Sequence, residues 1–414
     1  MRSTRPRDIE DIVPTPPTGT SVVRAINARA ALRLLLDRGP LSRPEIAALL
    51  AVSKPTASHL LTQLRESGLV RSDGNRDGAV GRAAELFSAN ETAAYAAAMD
   101  VTPERTTALV VDLAGSVVGS FTLPTEDGVA VDPATQVQRA LTGACEDAGI
   151  DASAVRRVVI GIQGALDPTS DRLRFAAHLP GWQRPDLTAA LEERIGAPID
   201  IENDVNLVAI AERAHGVAVN DDSFAVLWVS DGIGMGLMFG GRVHRGLTGG
   251  AGEIAELPVP GAPVPQETNE FGASGMQALA GAPALGRVLA DHGFSAATPV
   301  QAMTDAVSAG GDGAAAALDE IAARLALGLS AVVAIVDPDL IVLAGDVALA
   351  GGERLRSLVQ HHLHATVVAR PPVLLSGLDG NPVLDGALRL ALERVQDEVL
   401  GTVSGGQPKP AGDD

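Results

Sequence analysis

Asn203 and Asp204 stand side by side in IDIENDVNLVAIAE (199–212), where a strand-like apolar segment gives way to a helical one. A carboxamide next to a carboxylate at a strand end offers hydrogen-bond donors and acceptors together, a combination that suits a polyol. The same pair suits the N-cap of a helix opening near Val205, and the two uses are compatible. Further on, Asp231-Gly232-Ile233-Gly234-Met235-Gly236 has glycines spaced so that backbone amides could approach an anion, although a turn between two strands calls for glycine anyway. A third set lies near the amino terminus, where Ser53, Lys54, Thr56, Ser58 and His59 fall close together. Small polar side chains and a lysine at a helix start can reach the base edges and phosphates of a duplex. A lone exposed histidine is more often solvated than functional, so His59 counts only for its place on that helix.

These groups need elements to hold them. A first helix is expected over 22–38, with Ile26, Leu32, Leu35 and Leu36 inward and Gly39-Pro40 as its stop. Ser42-Arg43-Pro44-Glu45 reads as a capping box opening a second helix. After a short turn through Ala51 and Val52, Ser53-Lys54-Pro55-Thr56 opens a third, ending before Gly68. Ala57, Leu60, Leu61 and Leu64 share one face of it and are expected to bury against Ile46, Leu49 and Leu50; Pro55, His59 and Thr62 lie opposite. Two short helices joined by a tight turn form a helix-turn-helix, whose second helix enters a major groove. Beyond Gly68, residues 69–71 are expected to pair with 84–87 across Asp73-Gly74 and Asp77-Gly78, a hairpin carrying Arg76 and Arg82 as a wing beside the recognition helix. The same three helices could instead dock a protein.

The formal charge of −19 over 414 residues argues at first against nucleic acid. Its distribution argues the other way: residues 20–92 hold ten Lys or Arg against seven Asp or Glu, a basic module on an acidic body. With 2% aromatic residues, the cores must be built from Ala, Val, Leu and Ile. The single cysteine, Cys145, cannot close an intramolecular disulfide, no apolar run approaches a membrane span, and the amino terminus lacks the apolar core of a secretory signal, so a cytoplasmic protein is expected. Residues 1–20 read as a flexible arm and 401–414 as a disordered tail, with the main boundary near Asn90. Residues 95–123 and 224–246 repeat one order of strand, turn, strand, turn, strand, which suggests two lobes and a cleft.

VVIGIQGALDP, HLPGW (178–182), the IDIENDVNLVAIAE segment, DGIGMG (231–236), GGAGEI (249–254) and VDPDLIVLAGDV (336–347) together resemble the ROK family of sugar kinases and sugar-responsive repressors, over roughly 93–395. With a helix-turn-helix ahead of it, the layout is similar to the repressor branch. The resemblance implies an α-rich winged helix-turn-helix (21–90) followed by a two-lobed α/β, actin-like, ribonuclease H-like and duplicated domain: a first lobe over 93–203, a second over 204–385, and a C-terminal helix (386–400) packed back on the first lobe. It also implies sugar-binding roles for Asn203, Asp204 and Glu253, with Asp204 at the position of the family's catalytic base. Where the family's Gly-Glu-Ile-Gly-His continues, this chain has Ala255-Glu256, which places Glu256 at the histidine position. The family's zinc cysteines are absent from the matching stretch 269–278, so no tetrahedral zinc is expected, and the last sugar-binding glutamate is Ala278.

In the kinases a Gly-Gly-Thr loop after the first strand holds ATP phosphates; here it reads Asp100-Val101-Thr102-Pro103-Glu104-Arg105. Proline removes an amide and Glu104 adds a repelling charge, so ATP is not expected as a cofactor and phosphotransfer is not expected. The combined expectation is a homodimeric or homotetrameric repressor of double-stranded operator DNA that senses a sugar-like effector, with no membrane partner. The alternatives are an active sugar kinase carrying a DNA-binding appendage, and a protein-binding scaffold.

Overall fold

Gly39 takes a left-handed backbone (φ 74°) and its amide bonds back to Leu35, so the first helix, α1 (Gly19–Arg38), stops where the sequence turns to Gly-Pro. The computed structural model describes residues 19–76, 84–125, 132–174, 176, 179–263 and 274–404. They form two compact units, residues 1–93 with 395–414, and residues 94–394.

In the amino-terminal unit α1 is followed by β1 (Leu41–Ser42), α2 (Arg43–Leu49), α3 (Lys54–Glu66), β2 (Val70–Arg76) and β3 (Ala84–Ala89), with the three strands in the order β1-β3-β2. Glu45 closes the capping box by accepting the Ser42 amide at 2.7 Å. The turn into α3 places Ala51 in the left-handed region (φ 54°), and Ser53 Oγ then accepts the Thr56 amide at 3.3 Å. The core comprises Ala28, Leu32 and Leu35 of α1, Ile46 of α2, the Ala57-Leu60-Leu61-Leu64 stripe of α3, and Phe87.

Three expectations need correction. Ile26 is 60% exposed because it lies two residues off the Ala28-Leu32-Leu35 stripe, and Leu49, the last residue of α2, is 47% exposed at its rim. The wing pairs Arg71 with Ser88 and Ser72 with Phe87, and Asp73-Gly74 is not its turn: it lies at a register shift inside β2, with Gly74 at φ 85°. The expected Asp77-Gly78 turn and Arg82 lie outside the described residues.

The larger unit repeats one five-stranded plan. β4 (Tyr95–Val101), β5 (Arg105–Asp112) and β6 (Val117–Pro124) form an antiparallel meander; α4 (Pro133–Ala148), β7 (Val155–Ile162), the small hairpin β8 (Ala165–Asp167) and β9 (Arg172–Arg174), α5 (Leu187–Ile195) and β10 (Ile199–Asn203) follow. The sheet order is β10-β7-β4-β5-β6, with β7 and β10 parallel to β4. α6 (Asp204–His215) leads into a second meander, β11 (Phe224–Val229), β12 (Ile233–Phe239) and β13 (Arg242–Val243). Then come α7 (Gly275–Ala280), α8 (Ala282–Asp291), α9 (Pro299–Ala309), α10 (Gly311–Val336), β14 (Leu340–Ala344), α11 (Asp346–Thr366) and β15 (Val373–Leu375), giving the order β13-β12-β11-β14-β15. Here β14 and β15 run parallel to β11 in the same sense as β7 and β10 to β4, so the two sheets are copies of one topology. Each lobe has its own apolar core, centred on Met99, Ile160 and Trp182 in one and on Leu227, Leu325 and Leu343 in the other.

The last helix, α12 (Pro382–Ser404), starts earlier than expected, and only its part up to Arg394 belongs with the larger unit. From Val395 it groups with the amino-terminal unit, where Val395, Val399 and Leu400 are buried and Asp397 pairs with Arg29 of α1 at 2.5 Å.

Candidate functional site

On α3 the apolar stripe turns inward and leaves Ser53, Lys54, Pro55, Thr56 and His59 exposed, with Ser58 and Thr62 half-buried. Ser53 and Thr56 are also bonded to each other, Oγ to Oγ1 at 2.7 Å, so the polar amino-terminal end of the helix is held by its own cap. The helix N-terminus concentrates positive potential there, beside the Lys54 ammonium. Arg71 is exposed on β2 with Nε on Ser88 Oγ at 3.2 Å. Arg76 ends β2. Arg43 is exposed but engaged within the unit, paired with Glu85 at 2.8 Å and lying 4.9 Å from the centroid of the Phe87 ring.

The second site is a cleft of about 610 Å³ in the larger unit. Its floor is the junction of β10 and α6. Asn203 Oδ1 caps α6 by accepting the Asn206 amide at 3.1 Å, while Asn203 Nδ2 donates to Gly164 O at 3.1 Å and to Asp204 Oδ1 at 3.0 Å. Asp204 Oδ1 also accepts the Val205 amide at 2.8 Å, and the residue lines the cleft. Behind it, Glu202 Oε1 accepts the Asn203 amide at 3.1 Å and Asn206 Nδ2 at 2.9 Å, and Glu202 Oε2 pairs with Arg245 at 2.5 Å.

Among the described residues the cleft wall carries six carboxylates, Asp100, Glu104, Asp204, Asp231, Glu253 and Asp346, and one cation, Arg105. Burial pushes the Asp204 carboxyl up to about 7, against the lowering bond from the Val205 amide and helped by the negative charges of Asp100 and Glu253. Glu253 is likewise raised to about 7, by burial first and then by Glu256. Asp100, 7% exposed, is raised by burial, with the Asn381 hydrogen bond and the Arg105 charge opposing. Glu256 is not among the residues that line the cleft: it is exposed at the end of the short 3-10 turn Ile254–Glu256, its amide bonds Glu253 O at 3.3 Å, and its charge acts on the Glu253 carboxyl.

The two turns that face the cleft bond much of their own backbone. In the β4–β5 turn the Thr102 amide bonds to Arg105 O at 2.9 Å and the Arg105 amide to Thr102 Oγ1 at 3.3 Å. Pro103 has no amide, so the turn's remaining one belongs to Glu104, whose own carboxylate repels phosphate. In the β11–β12 turn the Ile233 amide is taken by the buried Gln277 Oε1 at 2.9 Å. Gly234 and Gly236 have a packing reason: a Cβ at Gly234 would meet Val205 Cγ2 at 2.9 Å, and one at Gly236 would meet Val205 O at 2.7 Å. They let α6 lie close on β12.

Cys145 is buried on α4, its thiol pushed up to about 11 by burial, and among the described residues no grouping of His, Cys, Asp and Glu could hold a metal. Residues 269–273 of the stretch that resembles the zinc motif lie outside the described residues. Among the described residues no helix is long and apolar enough to cross a membrane.

Sequence reasoning missed Asn381 and Trp228. Asn381 Oδ1 caps α12 through the amides of Val383 and Leu384, and its Nδ2 holds Asp100 Oδ2 at 2.8 Å. Asn-Pro at a helix start was the available signal. Trp228 lines the cleft from β11; in a chain with two tryptophans its rarity was the only cue.

A family model described as the ROK family matches residues 97–394, and one described as bacterial regulatory protein, arsR family, matches residues 28–72. The xylose repressor of Bacillus subtilis (strain 168) is 24% identical over 249 residues, 57% of this chain and 61% of that protein. The chain spans about three fifths of the length of the curated relatives it matches. Among solved structures, a ROK hexokinase from Thermus thermophilus aligns with a TM-score of 0.61 at 27% identity, covering 73% of this chain and 99% of that one. A ROK family transcriptional regulator described as a homolog of the E. coli MLC protein aligns with a TM-score of 0.71 at 18% identity, covering 92% and 99%, a likeness of fold.

Proposed function

The chain belongs to the ROK family, and we propose that it is a DNA-binding transcriptional regulator, a repressor, whose kinase-like domain senses a sugar-like effector and does not phosphorylate it. One observation carries this reading: a capped helix in helix-turn-helix geometry presents Ser53, Lys54, Thr56 and His59 to solvent while burying its whole apolar stripe. A helix docked to a protein partner would be expected to leave apolar side chains exposed, whereas a groove-reading helix exposes small polar ones and a cation. Ser58 and the wing arginines Arg76 and Arg82 complete the proposed DNA-contacting set. The xylose repressor named above gives the same reading by analogy.

In the cleft, Asn203, Asp204 and Glu253 bind effector hydroxyls, and Glu256 contributes through its charge on Glu253. An effector that prefers one lobe arrangement shifts the population toward it, and coupling of ~1–3 kcal/mol to DNA affinity suffices for a switch. A two-fold operator read by a homodimer or homotetramer fits the docking of paired recognition helices. The test is to select genomic fragments with the full chain, then titrate the bound duplex against a sugar panel by gel shift. A selected fragment whose affinity changes with one sugar is the expected result; affinity unmoved by every sugar would defeat the sensing part.

A second reading, an active sugar kinase, is favoured by Asp204: a carboxyl near 7 on a hydroxyl-binding floor has the character of a general base. Against it stand the self-bonded Thr102–Arg105 turn and a cleft wall that, among the described residues, has five more carboxylates than cations. ATP-dependent sugar phosphorylation abolished by Asp204→Asn would establish the kinase and overturn the sensor.

A further inference from the structure

Neither Glu202 nor Arg245 is among the residues that line the cleft, yet each holds a piece of its wall. Glu202, on β10 of the first sheet, is buried, and its Oε1 closes a ring of bonds around Asn203. It accepts the Asn203 amide at 3.1 Å and Asn206 Nδ2 at 2.9 Å, while the Asn206 amide donates to Asn203 Oδ1 at 3.1 Å. Asn206 is 2% exposed and its Oδ1 has no partner among the described residues, so Glu202 is the group that orients its side chain. Arg245 comes from the other lobe, just after β13. Its Nε and Nη2 both reach Glu202 Oε2, at 2.6 Å and 2.5 Å, and its carbonyl accepts the Ala251 amide at 3.1 Å. Ala251, Gly252 and Glu253 of that loop then line the cleft. The loop meets the first lobe again at Gly249 (φ 79°), where a Cβ would collide with Leu166 O of β8.

We infer that Glu202 and Arg245 are positioning residues for the effector site, a clasp between the lobes that sets the spacing of Asn203 and Glu253. This rests on the reading of the cleft as an effector site. One oxygen of Glu202 fixes Asn203 from the first lobe; the other is gripped by the arginine whose loop carries Glu253 from the second. Bonds between a guanidinium and a carboxylate are charge-assisted, and here the carboxylate is anchored in the fold, with its side chain 8% exposed against 44% for Arg245. Without Arg245 a buried carboxylate loses its cation and the loop loses its tie to the first lobe. A ligand that bridges the two lobes binds best when both sets of contacts already stand at the right distance, so loosening the clasp costs affinity without removing any group that touches the ligand. Lysine at 245 keeps the charge but has a single nitrogen in place of the two that hold Oε2.

The experiment compares the full-length parent with Arg245→Ala, Arg245→Lys, Glu202→Gln and the double variant Glu202→Gln/Arg245→Ala. Each is followed by hydrogen–deuterium exchange and by calorimetric titration with D-glucose, D-xylose and N-acetylglucosamine. Arg245→Ala should exchange faster on both sides of the clasp, at 249–253 and at 203–206, while β4 and β11 keep the parent's protection. It should bind whichever sugar the parent binds about tenfold more weakly, with part of the loss restored in Arg245→Lys. The double variant should lose little more than Arg245→Ala does, because the two side chains act as one unit. Where protection in β4 and β11 is lost as well, Glu202→Gln carries the test, with an expected loss of about threefold. Sugar affinity within about twofold of the parent's in every variant, or faster exchange confined to 249–253, would overturn the clasp and leave the effector site standing. Binding of none of the three sugars by the parent chain would overturn both.

Discussion

The exposed face of α3 and the floor of the cleft both carry candidate functional side chains, at opposite cost to the fold. Lys54 and His59 sit in water on a helix whose opposite side is fully packed, so the fold would keep its stability without them. Asp204, Glu253 and Asp100 are carboxyls pushed up by burial and held near one another, so the fold is stable in spite of them. A surface that reads a charged polymer can be assembled from solvated groups, whereas a pocket that grips a small molecule must pre-pay desolvation. Groups shifted in this way and gathered in one cleft point to a functional site.

The largest expected effect lies beneath the reading face. Leu64 is fully buried, and Leu64→Ala should destabilise the amino-terminal unit by roughly 2–4 kcal/mol in denaturant unfolding. A loss below about 0.5 kcal/mol would mean that the stripe does not hold the helix and that the two faces of α3 are not distinct.

Next comes a gain. Asp204→Asn keeps an oxygen to accept the Val205 amide and removes the buried charge. The folded carboxyl titrates near 7, above its ordinary 3.8, so the penalty is absent below about pH 4, grows through the window up to 7, and is complete above it. The variant should therefore match the parent at low pH and exceed it by roughly 1–3 kcal/mol at pH 8, once cleft solvent is allowed for, while losing effector response. Equal stability at pH 8 would erase the contrast between the two sites.

Two smaller effects sharpen the other side. Ser53→Ala deletes the α3 cap and should cost about 1 kcal/mol along with part of the DNA affinity. Lys54→Ala should leave stability within about 0.5 kcal/mol, weaken binding to every duplex by a similar factor, and reduce the salt slope by about 1. A stability loss without any change in salt slope would make Lys54 a structural residue.

The two regions also differed in how much of them was legible in the sequence. The α3 stripe, its Ser53 cap and the capping box at Ser42 are local signals, read within a few residues of one another, and the structure repeats them. The duplicated meander was visible because each copy is contiguous. The cleft floor was half legible. Asn203-Asp204 sits at a strand-to-helix junction that periodicity marks, but the bond between Asn381 and Asp100 joins residues 281 apart, and no local pattern announces it. Misreadings followed the same rule. Ile26 and Leu49 were assigned inward by residue type, and only the packed stripe decides that they face out. The Asp73-Gly74 turn signal was real as a backbone kink, but the pairing of β2 with β3 absorbs it as an irregularity within the strand.

The most direct test of the account is the salt dependence of duplex binding by the full-length chain, followed by fluorescence anisotropy on a genomic fragment that it selects. The account predicts affinity that falls linearly in log–log form as salt rises, with a slope set by the phosphates neutralised, and a shallower slope in Lys54→Ala. No association with any duplex at low salt, or an affinity indifferent to salt, would contradict it.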